Sequence, residues 1–139
     1  MSQQAARTAD AQDDRDVEGI CQAALDYMQG WYEGDAERMR RCLHPELAKR
    51  AIRPDPQTGN QRFSHLGQQQ MVDKTRQGGG SGDAPEDKRY YDVAVLDVYG
   101  EIACARAESY EYVDYLHLAR CEGKWLIVNV LWADNQAKR

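Results

Sequence analysis

Apolar and polar positions change rhythm along this chain, from a helical period in the first third to a strand period in the last. Val17, Ile20, Cys21, Ala24, Met28 and Trp31 recur at helical intervals and predict an amphipathic helix from Asp13 or Asp14 to between Gly30 and Gly34, with Tyr27 at the edge of its stripe. Asp35 can cap a short second helix through Arg41 whose Ala36, Met39, Cys42 and Leu43 turn inward. His44-Pro45-Glu46 ends that helix, because proline biases its predecessor away from helical angles. Leu47 to Ile52 and Arg62 to His65 read as short strands around a Pro/Asp/Gly turn, and Gln68 to Arg76 as a third helix with Met71, Val72 and Thr75 inward.

Beyond Tyr90 the chain alternates with a period of two. Three runs, Tyr90–Tyr99, Glu101–Arg120 and Lys124–Ala133, are separated by breaks at Gly100 and Gly123 and predict an antiparallel meander. Such a sheet twists as it packs over helices, and the hollow beneath it is the place to seek function. If Asp114 faces the hollow, Leu116 and Leu118 share its face while Tyr115, His117 and Ala119 lie opposite. Ala103, Ala105 and Ala107 likewise form one small-residue face, opposed by Ile102, Cys104, Arg106 and Glu108. Tyr110 and Tyr112 continue that second face, an aromatic surface suited to a homodimer through the outer side of the sheet.

Composition narrows the class. The 139 residues fit one domain: a disordered polar leader over 1–12, an α+β domain over 13–135 and a tail over 136–139. A net charge of −5 with no basic stripe argues against nucleic acid as a partner. No apolar run reaches signal-peptide or membrane-span character, so a cytoplasmic protein with no membrane partner is expected. Cys21, Cys42, Cys104 and Cys121 are scattered and read as reduced thiols. The run Gly78 to Pro85 lacks the Lys-Ser/Thr of a phosphate loop and reads as a flexible loop. His44, His65 and Asp114 lack diagnostic ligand spacing, so neither a metal nor another cofactor is expected.

The element order, with Gly34-Asp35-Ala36-Glu37-Arg38-Met39-Arg40-Arg41-Cys42-Leu43-His44-Pro45-Glu46, Val113-Asp114-Tyr115-Leu116-His117-Leu118 and Gly123-Lys124-Trp125-Leu126-Ile127-Val128-Asn129, resembles the nuclear transport factor 2 (NTF2)-like superfamily. Within it, the chain looks like the polyketide-cyclase-like (SnoaL-like) branch and the group labelled "putative lumazine-binding". The resemblance spans Asp14 to Asn135 and implies a cone-shaped, cystatin-like α+β fold: helices packed on a curved, mostly antiparallel sheet. It specifies the fold better than the function, because this fold hosts enzymes and binding modules alike.

Ketosteroid isomerases share the fold and imply roles for particular residues. Tyr27 stands eight residues before Asp35, matching their oxyanion-hole tyrosine; Asp114 matches the carboxylic acid that pairs with it, and Trp132 a late tryptophan. Their catalytic carboxylate would align near Ala51, among Lys49, Arg50 and Ile52, so the base is missing. His44, Glu46, His65 and His117 are the conceivable substitutes, and Arg50 and Arg53 could meet an anion at the cone mouth.

Three readings follow. In the first, a homodimeric protein binds an unidentified small molecule between the sheet and the first helix, with Tyr27 and Asp114 orienting it and Met28, Trp31, Leu116 and Trp132 as apolar walls. In the second, an isomerase, cyclase or dehydratase acts on a carbonyl compound with Tyr27 and Asp114 as oxyanion donors and His44 as base. In the third, the cavity is filled and the sheet is a dimerisation or protein-interaction surface.

Overall fold

The computed structural model describes residues 11–137, so the polar leader expected over 1–12 falls mostly outside them, as does the end of the C-terminal tail. Helix α1 runs Ala11–Glu33 and α2 Ala36–Cys42. Asp35 caps α2 by accepting a hydrogen bond from the Arg38 amide at 3.1 Å, while Gly34 takes the corner at φ +70°. Strands β1 (Leu43–Pro54) and β2 (Gln61–Leu66) form a hairpin, followed by α3 (Gln68–Arg76). Strands β3 (Asp92–Tyr99), β4 (Ile102–Glu108), β5 (Tyr112–Cys121) and β6 (Lys124–Asp134) complete one six-stranded sheet in the order β2-β1-β6-β5-β4-β3. Every pairing is antiparallel except β1 with β6.

The core lies between the three helices and the inner sheet face. As alternation predicts, Ala103, Ala105, Ala107, Asp114, Leu116 and Leu118 are buried there. The small alanines let α1 lie close to β4. Ile102, Tyr115 and Leu131 are exposed on the other face.

Three local expectations are corrected. The buried stripe of α1 comprises Asp16, Ile20, Ala23, Ala24, Tyr27 and Met28, and Val17 is 42% exposed, so the helix is rotated and Tyr27 sits at the centre of the contact. A polar Asp16 can be buried because it accepts from Trp125 Nε1 at 3.1 Å and pairs with Arg120 at 2.9 Å. The helix ends before His44-Pro45-Glu46 as expected, but the strand begins at Leu43 and not at Leu47: Leu43 already pairs with Ile127, and Pro45 falls in the register shift between Leu43 and Ala48, where its missing N–H costs little. The predicted run Glu101–Arg120 is two strands, broken at 109–111 by a turn in which the Ser109 amide bonds the Tyr112 carbonyl at 2.9 Å. That turn resets the alternation and brings Tyr112 to the inner side of the sheet.

Asp26 locks α2 to α1. Its carboxylate is 5% exposed and accepts from Arg38 Nε at 2.8 Å, Arg41 Nη2 at 3.0 Å and Gln22 at 3.1 Å. Burial alone would raise its pKa, but the hydrogen bonds from Arg41 and Arg38 prevail and hold it below the usual carboxylate value. The corner that leads the chain into β1 is thereby fixed.

Candidate functional site

A cavity of about 340 Å³ opens between α1, the β1–β2 hairpin and the start of β5, a volume typical of small-molecule sites. Strand alternation on β1 points Leu47, Lys49 and Ala51 to the inner face, and alternation on β5 brings Asp114 to the same hollow. Helix α1 presents Tyr27, Met28, Trp31 and Tyr32 from above, and Trp132 of β6 pairs in register with Asp114.

Lys49, Tyr27 and Asp114 form the polar floor. Lys49 Nζ donates to the Tyr27 hydroxyl at 2.7 Å, and the Asp114 carboxyl faces the same hydroxyl across the cavity floor. The amine is ringed by aromatics, with Nζ at 5.0 Å from the Tyr27 centroid, 5.6 Å from Trp132 and 5.7 Å from Trp31. Burial pushes Asp114 up to about 6, against the opposing pull of the Lys49 charge and the Tyr27 hydrogen bond. The Tyr27 phenol is held well above its ordinary value, by burial first and by the Asp114 charge second. Burial also lowers the Lys49 pKa, which Asp114 partly restores and Lys74 depresses further. Each charge on this floor therefore depends on the state of its neighbours.

The walls are aromatic and the mouth is basic. Tyr112 packs edge-on against Trp132 with centroids 5.2 Å apart, and the Arg53 guanidinium stacks at 4.6 Å over the same indole. Lys74 of α3 adds a second mouth cation.

The glycine run packs behind Trp31 and Tyr112, and here the expected flexible loop is corrected. Gly80 is buried against Trp31, close enough that an added Cβ would lie 2.4 Å from the indole and 2.5 Å from the Trp31 carbonyl. Asp83 accepts from Trp31 Nε1 at 3.0 Å and from the Tyr112 hydroxyl, while Arg89 donates to the Ala84 carbonyl at 3.0 Å and the Ser81 carbonyl at 2.9 Å. The glycines serve close packing, and the segment holds Trp31 and Tyr112 in place from outside the cavity lining.

The structure gathers Tyr27, Met28, Trp31, Asp114 and Trp132 around one cavity and leaves two of the expected site residues outside its lining. Leu116 is buried in the core behind it. His44 lies at the start of β1, and its Nδ1 accepts from the Glu46 amide at 3.0 Å, so it does not reach the cavity. Glu46, His65 and His117 are exposed. Lys49 is the basic side chain on the floor, and its signal in the sequence was its place on the inward parity of β1, two residues before the buried Ala51. Tyr112 shares the parity of Asp114 on β5, which was its signal; continuing the face of Arg106 and Glu108 across the turn at 109–111 placed it on the wrong side. Among the described residues no cluster of metal-ligating side chains occurs, and no helix is long and apolar enough to cross a membrane.

Residues 15–133 match the model of the family described as "Putative lumazine-binding". Solved structures with the same fold include an NTF2-like protein of unknown function from Silicibacter pomeroyi, at 16% identity and TM-score 0.69 over 88% of this chain and 98% of that one. An NTF2-like protein of unknown function from Methylobacillus flagellatus is similar at 22% identity and TM-score 0.66, over 87% and 93%. A "putative dehydratase" of the NTF2-like family from Streptomyces avermitilis is similar at 14% identity and TM-score 0.60, over 88% and 97%. No curated protein matches the sequence.

Proposed function

The chain belongs to the "Putative lumazine-binding" family of NTF2-like proteins, and on that premise we propose that it binds a flat, carbonyl- or carboxylate-bearing small molecule in the cavity beneath the sheet. The observation that carries this reading is the Tyr27–Lys49–Asp114 floor set within walls of Trp31, Tyr112 and Trp132. Tyrosine, ammonium and a neutral acid can all donate to oxygen, and the indoles supply faces for a planar ring. Lys49, Lys74 and Arg53 outnumber the one acid of the lining, Asp114, so the site favours electron-rich or anionic ligands.

Two probes test it. Lumazine offers a pteridine ring with two carbonyl groups, and 2-naphthoate a bicyclic ring with a carboxylate. Trp31 and Trp132 line the cavity whereas Trp125 lies apart from it, bonded to Asp16, so bound probe should quench part of the tryptophan emission saturably. Absence of saturable quenching by either compound overturns the reading. Asp114→Asn should weaken lumazine binding about tenfold or more, the loss expected for a hydrogen bond involving an ionisable group. Unchanged affinity would remove Asp114 from ligand recognition.

A second reading, an isomerase, cyclase or dehydratase, is favoured by one specific observation: Lys49 brings a basic group beside the Tyr27/Asp114 donor pair, where sequence comparison left the base missing. We also propose a homodimer through the outer sheet face, where Leu96, Tyr99, Ile102, Tyr115 and Leu131 are exposed. Light scattering should give twice the chain mass, and Ile102→Lys with Tyr115→Lys should give a monomer; a monomeric unaltered protein would overturn it.

A further inference from the structure

We propose that Lys49 is a nucleophile that captures an aromatic aldehyde or ketone as an imine on the cavity floor, with Tyr27 and Asp114 as its proton relay. The inference rests on the binding reading and names the chemistry of the same site.

The geometry contains each part that the step requires. Lys49 Nζ lines the cavity and meets the Tyr27 hydroxyl at 2.7 Å, and among the described residues no carboxylate pairs with it directly. The other described lysines, Lys74, Lys88 and Lys124, are exposed. A lysine removed from water sheds its proton more readily than an exposed one, which is the usual route to an amine that attacks carbonyls. Around Lys49, burial and the Lys74 charge both act in that direction. The Tyr27 hydroxyl bonds Lys49 at 2.7 Å and faces the Asp114 carboxyl in the same cavity, so a small movement of the carboxyl lets one proton pass from ammonium to carboxylate without a separate base.

The bonds balance without an oxidant or reductant. Asp114 receives a proton from Lys49 through Tyr27, leaving a neutral amine beside a neutral acid. The nitrogen lone pair attacks the carbonyl carbon and forms the C–N bond, while the C=O π pair moves to oxygen. That oxygen takes the Asp114 proton through Tyr27 and the nitrogen returns one to the carboxylate, giving a carbinolamine. The hydroxyl group then takes the proton back from the relay and leaves as water, and the nitrogen pair closes the C=N bond. Amine and carbonyl become iminium and water, reversibly. Trp31 and Trp132, both within 6 Å of Nζ by ring centroid, supply faces against which the aromatic ring of the substrate can stack.

The test is reductive trapping on the full chain. The protein is incubated with 2-naphthaldehyde and sodium cyanoborohydride, digested and mapped by mass spectrometry. Lys49 should be modified at least about tenfold faster than Lys74, Lys88 or Lys124, as expected for a buried and activated amine, and 2-naphthoate should protect it. Lys49→Met should lose the fast adduct, but the map of the unaltered protein is decisive and does not depend on that variant folding. Even labelling across the exposed lysines, with 2-naphthoate still quenching tryptophan emission, overturns the imine and leaves the binding reading intact. Even labelling with no quenching by 2-naphthoate or lumazine overturns both.

Discussion

Alanine at Gly80 is expected to lower the melting temperature by on the order of 10 °C, equivalent to about 3 kcal/mol. The new methyl would stand 2.4 Å from the Trp31 indole and 2.5 Å from its backbone carbonyl, so moving the side chain alone cannot relieve the clash. Either α1 shifts or the loop lifts, and both disturb the bond from Trp31 Nε1 to Asp83. Gly82 provides the control in the same loop. A Cβ there meets nothing within 4 Å, so Gly82→Ala should be neutral or slightly stabilising through its effect on the unfolded chain. Thermal melts of the two variants decide the matter, and equal melting temperatures would sink the packing account. Gly80→Ala should also weaken lumazine binding, because Trp31 is a wall of the cavity.

The second large effect is a dependence on pH. Asp114 titrates near 6 in the folded protein against an ordinary value of 3.8, so folding favours its neutral form. Between those values the native state holds more protons than the unfolded state, and Asp114's contribution to stability falls as pH rises through the window. An asparagine side chain in its place would resemble the neutral acid at every pH. The stability of Asp114→Asn relative to the unaltered protein should therefore grow by about 2 kcal/mol between pH 4 and pH 7 and then level off. Taking the difference removes the opposite trend from Asp26, Glu101 and Glu108, whose pKa values are lowered by their arginine or hydrogen-bond partners and which lose stability on acidification. Urea denaturation at four pH values measures the difference; a constant offset would mean that folding does not raise the Asp114 pKa.

A variant that binds lumazine less well yet is more stable at neutral pH is what a functional acid produces. That pair of outcomes would mark Asp114 as an acid whose burial is kept at the expense of the fold. Lys49 adds a half-buried ionisable group to the same floor.

Much of this architecture could be read from the order of residues because alternation and helical spacing are local properties. Ala103, Ala105, Ala107, Leu116 and Leu118 declared the inner face of β4 and β5, and the three-helix pattern located Met71, Val72 and Thr75 correctly. The gathering of Tyr27 and Asp114 around one cavity was legible through family resemblance. Other features depend on partners distant in the chain. A glycine that permits close packing on Trp31 reads the same as one in a mobile loop, since both lack a side chain. The charge of Lys49 reads as solvent-facing until strand parity and the neighbouring rings are known. Tyr112 moved because one turn shifted the alternation, and His44 because Leu43 finds its partner on β6 and draws the following residues into a strand.

The parallel pairing of β1 with β6 also dictates an order of assembly. Lys49 lies in register with Val130, at opposite ends of the folding unit, while the strands made between them join the sheet elsewhere. During synthesis, Tyr27 and Lys49 emerge long before Asp114 and Trp132, and β1 has only β2 to hold it in the interval. The domain therefore has a high contact order at its centre, and its folding should wait for the last strand. A chain truncated before β6 would lose both the wall bearing Trp132 and the sheet edge on which β1 depends, leaving an aggregation-prone hairpin.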